Sequence, residues 1–244
     1  MTPAVRISYL VPVYNEEQGL PACARAIADR LADHPGSELI MVENGSTDRS
    51  PVLVEELARD LQRPEVGVVA AHSAKGYGNA MRHGIDVATG DMLVITAADL
   101  PFGFSDLDEA LALDPRPALM IGSKAHPASR VAASLKRRAM SRAFRLLRRV
   151  VIDLKVGDSQ GTILIDRRLA QRIRPHLTAG DFFFSTELIA LASRMGVTPV
   201  EIPVDYSRPR EGSTVRPVED GLRMARSLLD LRRRLRTIPL RQAS

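Results

Sequence analysis

The first hundred residues alternate short, β-branched apolar runs with segments in which apolar residues recur at helical spacing. Strands are predicted at 5–13, 38–42, 66–70 and 92–96, and helices at 17–31, 50–61 and 78–87. Strands that alternate with crossover helices form a parallel sheet with both faces covered. Because ligands of such sheets bind beyond the carboxyl ends of the strands, the residues that follow each strand are the first candidates for function.

The second half of the chain is less regular but remains mixed. Strands are predicted at 118–122, 161–165 and 197–204, and helices at 130–150, 185–195 and 217–236. The sequence has no internal repeat and no linker rich in Pro, Gly or Ser. Apolar residues make up 45% of the chain and charged residues 26%, which is typical of a globular protein. A single domain covering 1–244 is therefore predicted.

The charge is unevenly distributed along the chain. The net charge of +5 hides two basic segments, 130–155 with nine basic residues and one acid, and 207–244 with ten basic residues and four acids. Together they carry +14, so the remainder carries −9. A basic patch on an acidic body favours an anionic partner. The single cysteine, Cys23, excludes an internal disulfide and a Cys-based zinc cluster.

Polar side chains follow the first two predicted strands. Tyr14 offers a ring that can stack on a base, and Glu16, Glu43 and Asn44 offer the donors and acceptors that a nucleobase and its ribose need. The alternative is local, with Asn44-Gly45 forming only a turn and the hydroxyls after it only a helix cap. Taken jointly, the polar clusters favour a nucleotide site.

A glycine-rich stretch, KGYGNAMRHG, follows the third predicted strand. Its glycines allow close approach of the backbone to a ligand, and Lys75 and Arg82 can neutralise a diphosphate. The spacing matches neither the GxGxxG dinucleotide motif nor a Walker A loop. This stretch alone is a weak signal.

The motifs in combination resemble a known family. VPVYNEE, VENGSTDRS and the segment from KGYGNAMRHG to ITAADLPF resemble the GT-A fold of family 2 glycosyltransferases. IGSKAH, GDSQGTILIDRRLA, FFFSTELIALASRMGVTPVEIPVDY and REGST are similar to the polyprenyl-phosphate sugar synthases of the dolichyl-phosphate mannose and glucose synthase type. The match runs from about Ile7 to Thr214.

The resemblance implies an α/β architecture, the Rossmann-like GT-A fold, whose mostly parallel sheet is sandwiched by helices. It divides the single domain into a nucleotide-sugar half (1–100), an acceptor half (101–214) and a basic C-terminal helix and tail (215–244). The activity implied is inverting transfer of a sugar from a nucleoside-diphosphate sugar to polyprenyl phosphate.

Site residues follow from the matched motifs and from their charges. Those predicted to bind the nucleotide-sugar are Pro12, Tyr14, Glu16, Val42, Glu43, Asn44, Lys75, Arg82, Ala98, Asp99 and Gln160. Those predicted to act in catalysis are Asp99, Asp158 and Glu187. Those predicted to hold the acceptor phosphate are Lys124, Arg130, Arg137, Arg208, Arg210 and Ser213.

The predicted metal site departs from the family pattern. Ala97-Ala98-Asp99 stands where the family has Asp-x-Asp, so Asp99 is the single carboxylate expected to bind a divalent cation. Mg²⁺ tolerates this because it keeps several waters and takes other ligands from substrate phosphates. Mn²⁺ is the alternative cofactor. The sequence does not identify the nucleobase or the sugar of the donor.

Three readings of function follow. A lipid monophosphate, with a second pKa of about 6, is already an anion near neutral pH and needs no general base. A soluble hydroxyl acceptor requires one, and Asp158 or Glu187 would have to serve. A nonenzymatic nucleic-acid binder is disfavoured, because aromatic residues make up only 4% of the chain and Trp is absent.

Membrane contact is predicted to be peripheral. No apolar run reaches the roughly 20 residues that span a bilayer, and the N-terminus does not resemble a signal peptide. The helices at 130–150 and 217–236 combine apolar stripes with many arginines, as helices that lie on anionic lipid do. The alternative is that these stripes pack on the domain. A location on the cytoplasmic, inner face of a membrane is expected.

Overall fold

A computed structural model describes residues 5–131, 135–206 and 217–237, with side chains described outside 135–140 and 217–223. The strands are β1 (Ile7–Val13), β2 (Ser37–Glu43), β3 (Val66–His72), β4 (Met92–Ile95), β5 (Leu119–Gly122), β6 (Arg130–Val131), β7 (Ile163–Asp166), β8 (Val200–Ile202) and β9 (Asp205–Tyr206). The helices are α1 (Leu20–Leu31), α2 (Ser50–Asp60), α3 (Tyr77–Val87), α4 (Ser105–Ala112), α5 (Leu135–Ile152), α6 (Arg167–Ile173), α7 (Phe183–Arg194) and α8 (Pro217–Thr237). A 3₁₀ turn covers Arg174–His176.

Contacts divide the chain into two compact units. Unit 1 comprises residues 1–100 and 162–184, and unit 2 comprises residues 101–161 and 185–244. The first boundary coincides with the end of the predicted nucleotide-sugar half. The single domain over 1–244 stays a prediction.

Unit 1 contains a sheet in the order β3-β2-β1-β4-β7. The first four strands are parallel, and β7 runs antiparallel to β4. Every residue of β2 is buried, as expected for a central strand with both faces covered. The parallel order brings the carboxyl ends of β1, β2, β3 and β4 to one edge.

Unit 2 contains two short parallel pairs, β5 with β8 and β6 with β9. Helices α5 and α8 pack against each other. Leu228 and Leu231 of α8 are fully buried, so this helix places part of its apolar stripe in the interior. Among the described residues, no helix has the length and apolar character to cross a membrane.

The predicted α/β class and most predicted elements are confirmed, and the differences are local. Helix α1 begins at Leu20 rather than Glu17, because the residues before it form a loop at the sheet edge. The helix predicted from Arg130 begins instead at Leu135, and β6 precedes it. Helices α4 and α6 were not predicted.

Candidate active site

The loop that follows β1 is joined to the loop that follows β2. The Asn15 amide N–H donates to Ser46 Oγ at 3.0 Å, and Asn15 Oδ1 accepts from the Thr47 amide at 2.8 Å. The Glu16 amide donates to Ser50 Oγ at 2.9 Å. These hydroxyl residues therefore fix the loop that carries Tyr14 and Glu16.

Glu43 lies at the end of β2 and is 7% exposed. Its Oε1 accepts from the Ser46 amide at 2.6 Å, and its Oε2 lies 3.6 Å from His72 Nδ1. The other ring nitrogen of His72 lies 2.8 Å from Glu55 Oε1. The hydrogen bond with Glu55, opposed by burial and assisted by Glu43, raises the pKa of His72. His72, which the sequence analysis did not select, thus helps to hold Glu43.

Asn44 links three strand ends through its side chain and is 3% exposed. Its Nδ2 donates to the Val13 carbonyl at 2.8 Å, and its Oδ1 accepts from the Gly76 amide at 3.2 Å. The amide group therefore positions the loops after β1 and β3. Direct contact of Asn44 with a base stays a prediction.

Tyr14 and Lys75 form the accessible part of this edge. Lys75 Nζ donates to Tyr14 Oη at 2.8 Å and lies 4.7 Å from the centre of its ring. Tyr14 is 40% exposed. An aromatic face and a cation therefore lie side by side, which suits a base and a neighbouring phosphate.

Two glycines of the glycine-rich stretch pack closely against another part of the chain. A Cβ at Gly76 would lie 2.3 Å from the Gly180 carbonyl oxygen, and a Cβ at Gly78 would lie 2.1 Å from that of Ala179. These glycines admit another part of the chain, whereas the sequence suggested close approach of a ligand. Arg82 donates to the Leu177 carbonyl at 3.1 Å, so its side chain is also engaged by this segment. Contact of Arg82 with a diphosphate stays a prediction.

Asp99 follows β4 and is exposed, and its carboxylate makes no hydrogen bond or ion pair with another described residue. Burial, and then the charges of Asp99 and Glu16, raise the pKa of the Cys23 thiol to about 12. Both carboxylates therefore lie within electrostatic reach of one buried group. Within the described ranges, no cluster of three or more His, Cys, Asp or Glu side chains is suited to hold a metal.

For the predicted base contacts of Pro12, Val42 and Ala98, the structure gives the backbone position and the burial of each residue. Pro12 and Val42 are register partners in β1 and β2, and the Val42 and Ala98 side chains are buried. Any contact of Val42 or Ala98 with a nucleotide therefore falls to main-chain atoms, whereas the Pro12 side chain is partly exposed. It stays a prediction.

In unit 2, Asp158 is held by Lys124. Lys124 Nζ lies 2.8 Å from Asp158 Oδ2, and Asp158 Oδ1 accepts from the Gln160 amide at 2.9 Å. Burial raises the pKa of Asp158, but the charge and hydrogen bonds of Lys124, with the Gln160 amide, lower it overall. Gln160 Nε2 lies 3.2 Å from Thr186 Oγ1. Asp158 is thus an ionised, paired carboxylate of low basicity.

Glu187 is completely buried and forms an ion pair with Arg234 of α8. Nearby, Arg194 Nε donates to the Leu235 carbonyl at 2.9 Å, which also attaches α8 to α7. These contacts favour a structural role for Glu187 over the predicted catalytic one.

The predicted acceptor residues are only partly described. Arg130 is exposed, and its backbone pairs with Asp205. The side chain of Arg137 is among those not described, and Arg208, Arg210 and Ser213 lie outside the described residues.

Two arginines of α5 that the sequence analysis did not assign to the acceptor, Arg145 and Arg148, contact the segment that carries Asp158. Arg145 Nε donates to the Gly157 carbonyl at 3.0 Å, and Arg148 Nη2 lies 3.4 Å from the same oxygen. The signal was present in the sequence, because residues three apart share a helix face. The basic pattern of this helix predicts contact with anionic lipid, with packing on the domain as the alternative, and neither assigns Arg145 or Arg148 to the acceptor.

An α/β sheet with polar groups gathered at the carboxyl edge of its parallel strands is typical of proteins that bind a ligand at that edge. The chain matches the model of the family described as glycosyl transferase family 2 over residues 8–172. The match covers more than half of the chain, and the protein therefore belongs to glycosyl transferase family 2. The predicted family and enzyme class are confirmed.

Three similar proteins have names more specific than that of the family. The dolichyl-phosphate beta-glucosyltransferase of Drosophila melanogaster is 28% identical over an alignment of 243 positions, gaps included, which covers 93% of this chain and 74% of that protein. The human dolichyl-phosphate beta-glucosyltransferase is 28% identical over an alignment of 252 positions, which covers 97% of this chain and 78% of that protein. Glycosyltransferase AglD of Haloferax volcanii is 27% identical over an alignment of 232 positions, which covers 92% of this chain but only 36% of that protein.

A solved structure supports the fold. Glucosyl-3-phosphoglycerate synthase of Mycobacterium tuberculosis, in complex with Mn²⁺, uridine-diphosphate-glucose and phosphoglyceric acid, superposes with a TM-score of 0.63 at 18% identity. The similarity covers 96% of this chain and 81% of that one. At this identity the likeness shows the fold alone, and it confirms the predicted GT-A class.

Proposed function

We propose that the protein transfers glucose from UDP-glucose to a polyprenyl phosphate of the dolichyl type, with inversion at the anomeric carbon. The main observation in favour of a phosphate acceptor is that both candidate general bases are already paired with a cation. Asp158 is paired with Lys124, and Glu187 is buried against Arg234. A hydroxyl acceptor would need one of them to remove its proton, whereas a phosphate is already ionised.

The relatives and the fold neighbour supply the rest of the proposal. The Drosophila and human relatives are named dolichyl-phosphate beta-glucosyltransferases, and the fold neighbour was solved with uridine-diphosphate-glucose. In the reaction, an acceptor phosphate oxygen attacks the anomeric carbon as the bond to the nucleoside diphosphate breaks. Tyr14 and Lys75 bind the base and diphosphate, together with Glu16 and Glu43. The cations of unit 2 hold the acceptor.

A divalent cation is proposed to assist departure of the diphosphate. The free, exposed carboxylate of Asp99 fits a hard cation that takes one oxygen from the protein and the others from water and phosphate. When bound, Mg²⁺ or Mn²⁺ would neutralise charge on the leaving group. The fold neighbour was solved with Mn²⁺.

Transfer of radiolabelled glucose tests the function. We expect label in the organic phase when UDP-[¹⁴C]glucose and decaprenyl or dolichyl phosphate are supplied together with Mg²⁺ or Mn²⁺. GDP-mannose in place of UDP-glucose is expected to give less than a tenth of that rate. Activity should fall below about pH 6, where the acceptor phosphate gains its second proton. Label confined to water-soluble product would contradict the proposed acceptor.

We also propose that the protein lies on the membrane surface that holds the acceptor, on the cytoplasmic, inner face. Leu146 and Val150 lie one turn apart on α5 and are 63% and 71% exposed, and Leu229 of α8 is 49% exposed. The net charge of the described α5 and α8 side chains is positive, which favours anionic lipid at about 1 kcal/mol for each basic residue near the surface.

The double variant Leu146→Glu with Val150→Glu should abolish sedimentation with vesicles of 30% phosphatidylserine. It removes the exposed apolar contact and adds repulsion. Val52→Glu, at an exposed valine of α2 in unit 1, is the matched control and should sediment like wild type. Salt at 1 M should release the wild-type protein. Equal sedimentation of both variants would contradict this surface.

A further inference from the structure

Unit 2 contains a cavity whose lining carries an excess of positive charge. Its volume is about 550 Å³. The charged residues of its lining are Lys124, Arg142, Arg145, Arg148 and Asp158, which give a net charge of +3. Phe144 and Tyr206 add apolar and aromatic walls. A concave site with converging cations suits an anion that carries an apolar group.

Arg148 is the unusual member of this lining, because it is an arginine with only 2% of its surface exposed. Its guanidinium carbon lies 5.2 Å from the centre of the Phe144 ring. Nη2 donates to the carbonyls of Val156 at 3.3 Å and Gly157 at 3.4 Å. Nε and Nη1 are buried and have no hydrogen-bond partner among the described residues.

The charge of Arg148 is not balanced by a carboxylate in direct contact. Burial, together with the charge of Arg145, lowers the pKa of Arg148, and the charges of Asp158 and Glu201 oppose this shift from a distance. Arginine nevertheless stays protonated at any physiological pH. Asp158, the carboxylate of the lining, is already paired with Lys124 at 2.8 Å. A buried guanidinium with unused N–H donors destabilises the folded protein unless a ligand accepts hydrogen bonds from those donors.

We propose that this cavity binds a phosphate monoester and that Arg148, with Arg145, is its anchor. A monoester offers three acceptor oxygens and up to two negative charges, which match the unused donors and the excess charge. Assigning this phosphate to the acceptor rests on the proposed function. The same chemistry is present in a polyprenyl phosphate headgroup and in a soluble sugar or glycerate phosphate.

Calorimetry on two matched variants tests the anchor. In Arg148→Met, the Kd of farnesyl monophosphate should rise about ten- to hundredfold, because charge-assisted hydrogen bonds are lost. Arg149→Met removes the same charge from the next, exposed position of α5 and should change that Kd less than threefold. The Kd of UDP-glucose should be unaltered in both variants. Equal weakening in both would overturn the proposal, since it would indicate only general electrostatics.

A second variant covers the case in which Arg148→Met does not fold. Arg148→Lys keeps the charge but loses the forked donors, and it should still weaken farnesyl monophosphate at least fivefold. Wild-type affinity in this folded variant would overturn the proposal.

The source of the phosphate is distinguished by three probes on the wild-type protein. Farnesyl monophosphate binding more tightly than 3-phosphoglycerate and inorganic phosphate assigns the cavity to a lipid headgroup, and the reverse order assigns it to a soluble monoester. If phosphate monoester binding depends on Arg148 but no glucose is transferred to polyprenyl phosphate, only the proposed function is contradicted. If glucose is transferred to polyprenyl phosphate and substitution of Arg148 does not affect the transfer, only this inference is contradicted.

Discussion

Asp99→Ala is expected to lower kcat for glucose transfer by at least about 100-fold. A cation at the leaving diphosphate contributes several kcal/mol of transition-state stabilisation, and about 1.4 kcal/mol corresponds to a tenfold change in rate. Asp99 is the carboxylate predicted to hold that cation, and its side chain has no competing partner among the described residues. Its exposure means that the substitution should leave stability almost unchanged.

Two further variants make this test specific. Asp60→Asn removes an exposed carboxylate at the end of α2 and should retain full activity. Ala97→Asp restores the family's Asp-x-Asp pattern at an exposed position, and it should lower the Kd of Mn²⁺ measured by calorimetry in the presence of UDP. Retention of more than half of the activity in Asp99→Ala would show that the enzyme does not depend on this ligand.

The sheet and its polar edge were predictable because their signals are local. Each parallel strand of unit 1 contains a run of apolar residues, and a buried parallel strand requires that pattern. The polar residues follow those runs directly in sequence, so Glu43 and Asn44 were assigned to the correct edge. The hydrogen bonds of Asn44 were not predictable, because its partners lie 31 and 32 residues away.

The roles that sequence reasoning missed depend on contacts distant in sequence. In the sequence, Gly78 is typical of a loop that approaches a ligand. In the structure, a side chain at this position would collide with the carbonyl oxygen of Ala179. Arg148 and Arg149 are the same residue type at adjacent positions of α5, and one is buried and the other exposed. The backbone carbonyls that Arg148 contacts belong to a segment outside the helix, so the helix pattern does not reveal this contact. A basic amphipathic helix therefore does not reveal which arginines bind a ligand and which face solvent.

Arg234→Ala is expected to destabilise the protein by about 3 kcal/mol. The substitution removes the arginine that forms an ion pair with the fully buried carboxylate of Glu187. Removal of one member of a buried pair costs about 3 to 5 kcal/mol, and the lower end applies because the Arg234 side chain is 35% exposed. For a chain of this size, the melting temperature should fall by roughly 6 to 12 °C.

Arg233→Ala is the matched control for this stability change. Arg233 is 81% exposed and lies 3.5 Å from Asp230 one turn earlier, so its loss should cost less than about 1 kcal/mol. Urea denaturation of both variants measures the difference. The double variant Glu187→Met with Arg234→Met should recover most of the lost stability, because a buried ion pair is often replaced by apolar residues without a net cost.

The same series decides between structure and catalysis for Glu187. If Glu187 only attaches α8, the double methionine variant assayed well below its melting temperature keeps a kcat within a few-fold of wild type. If Glu187 orients the sugar in the transition state, the recovered stability is accompanied by a loss of kcat of about 100-fold or more. We expect the first outcome, because a carboxylate with no exposed surface and an arginine partner is not available to a sugar hydroxyl.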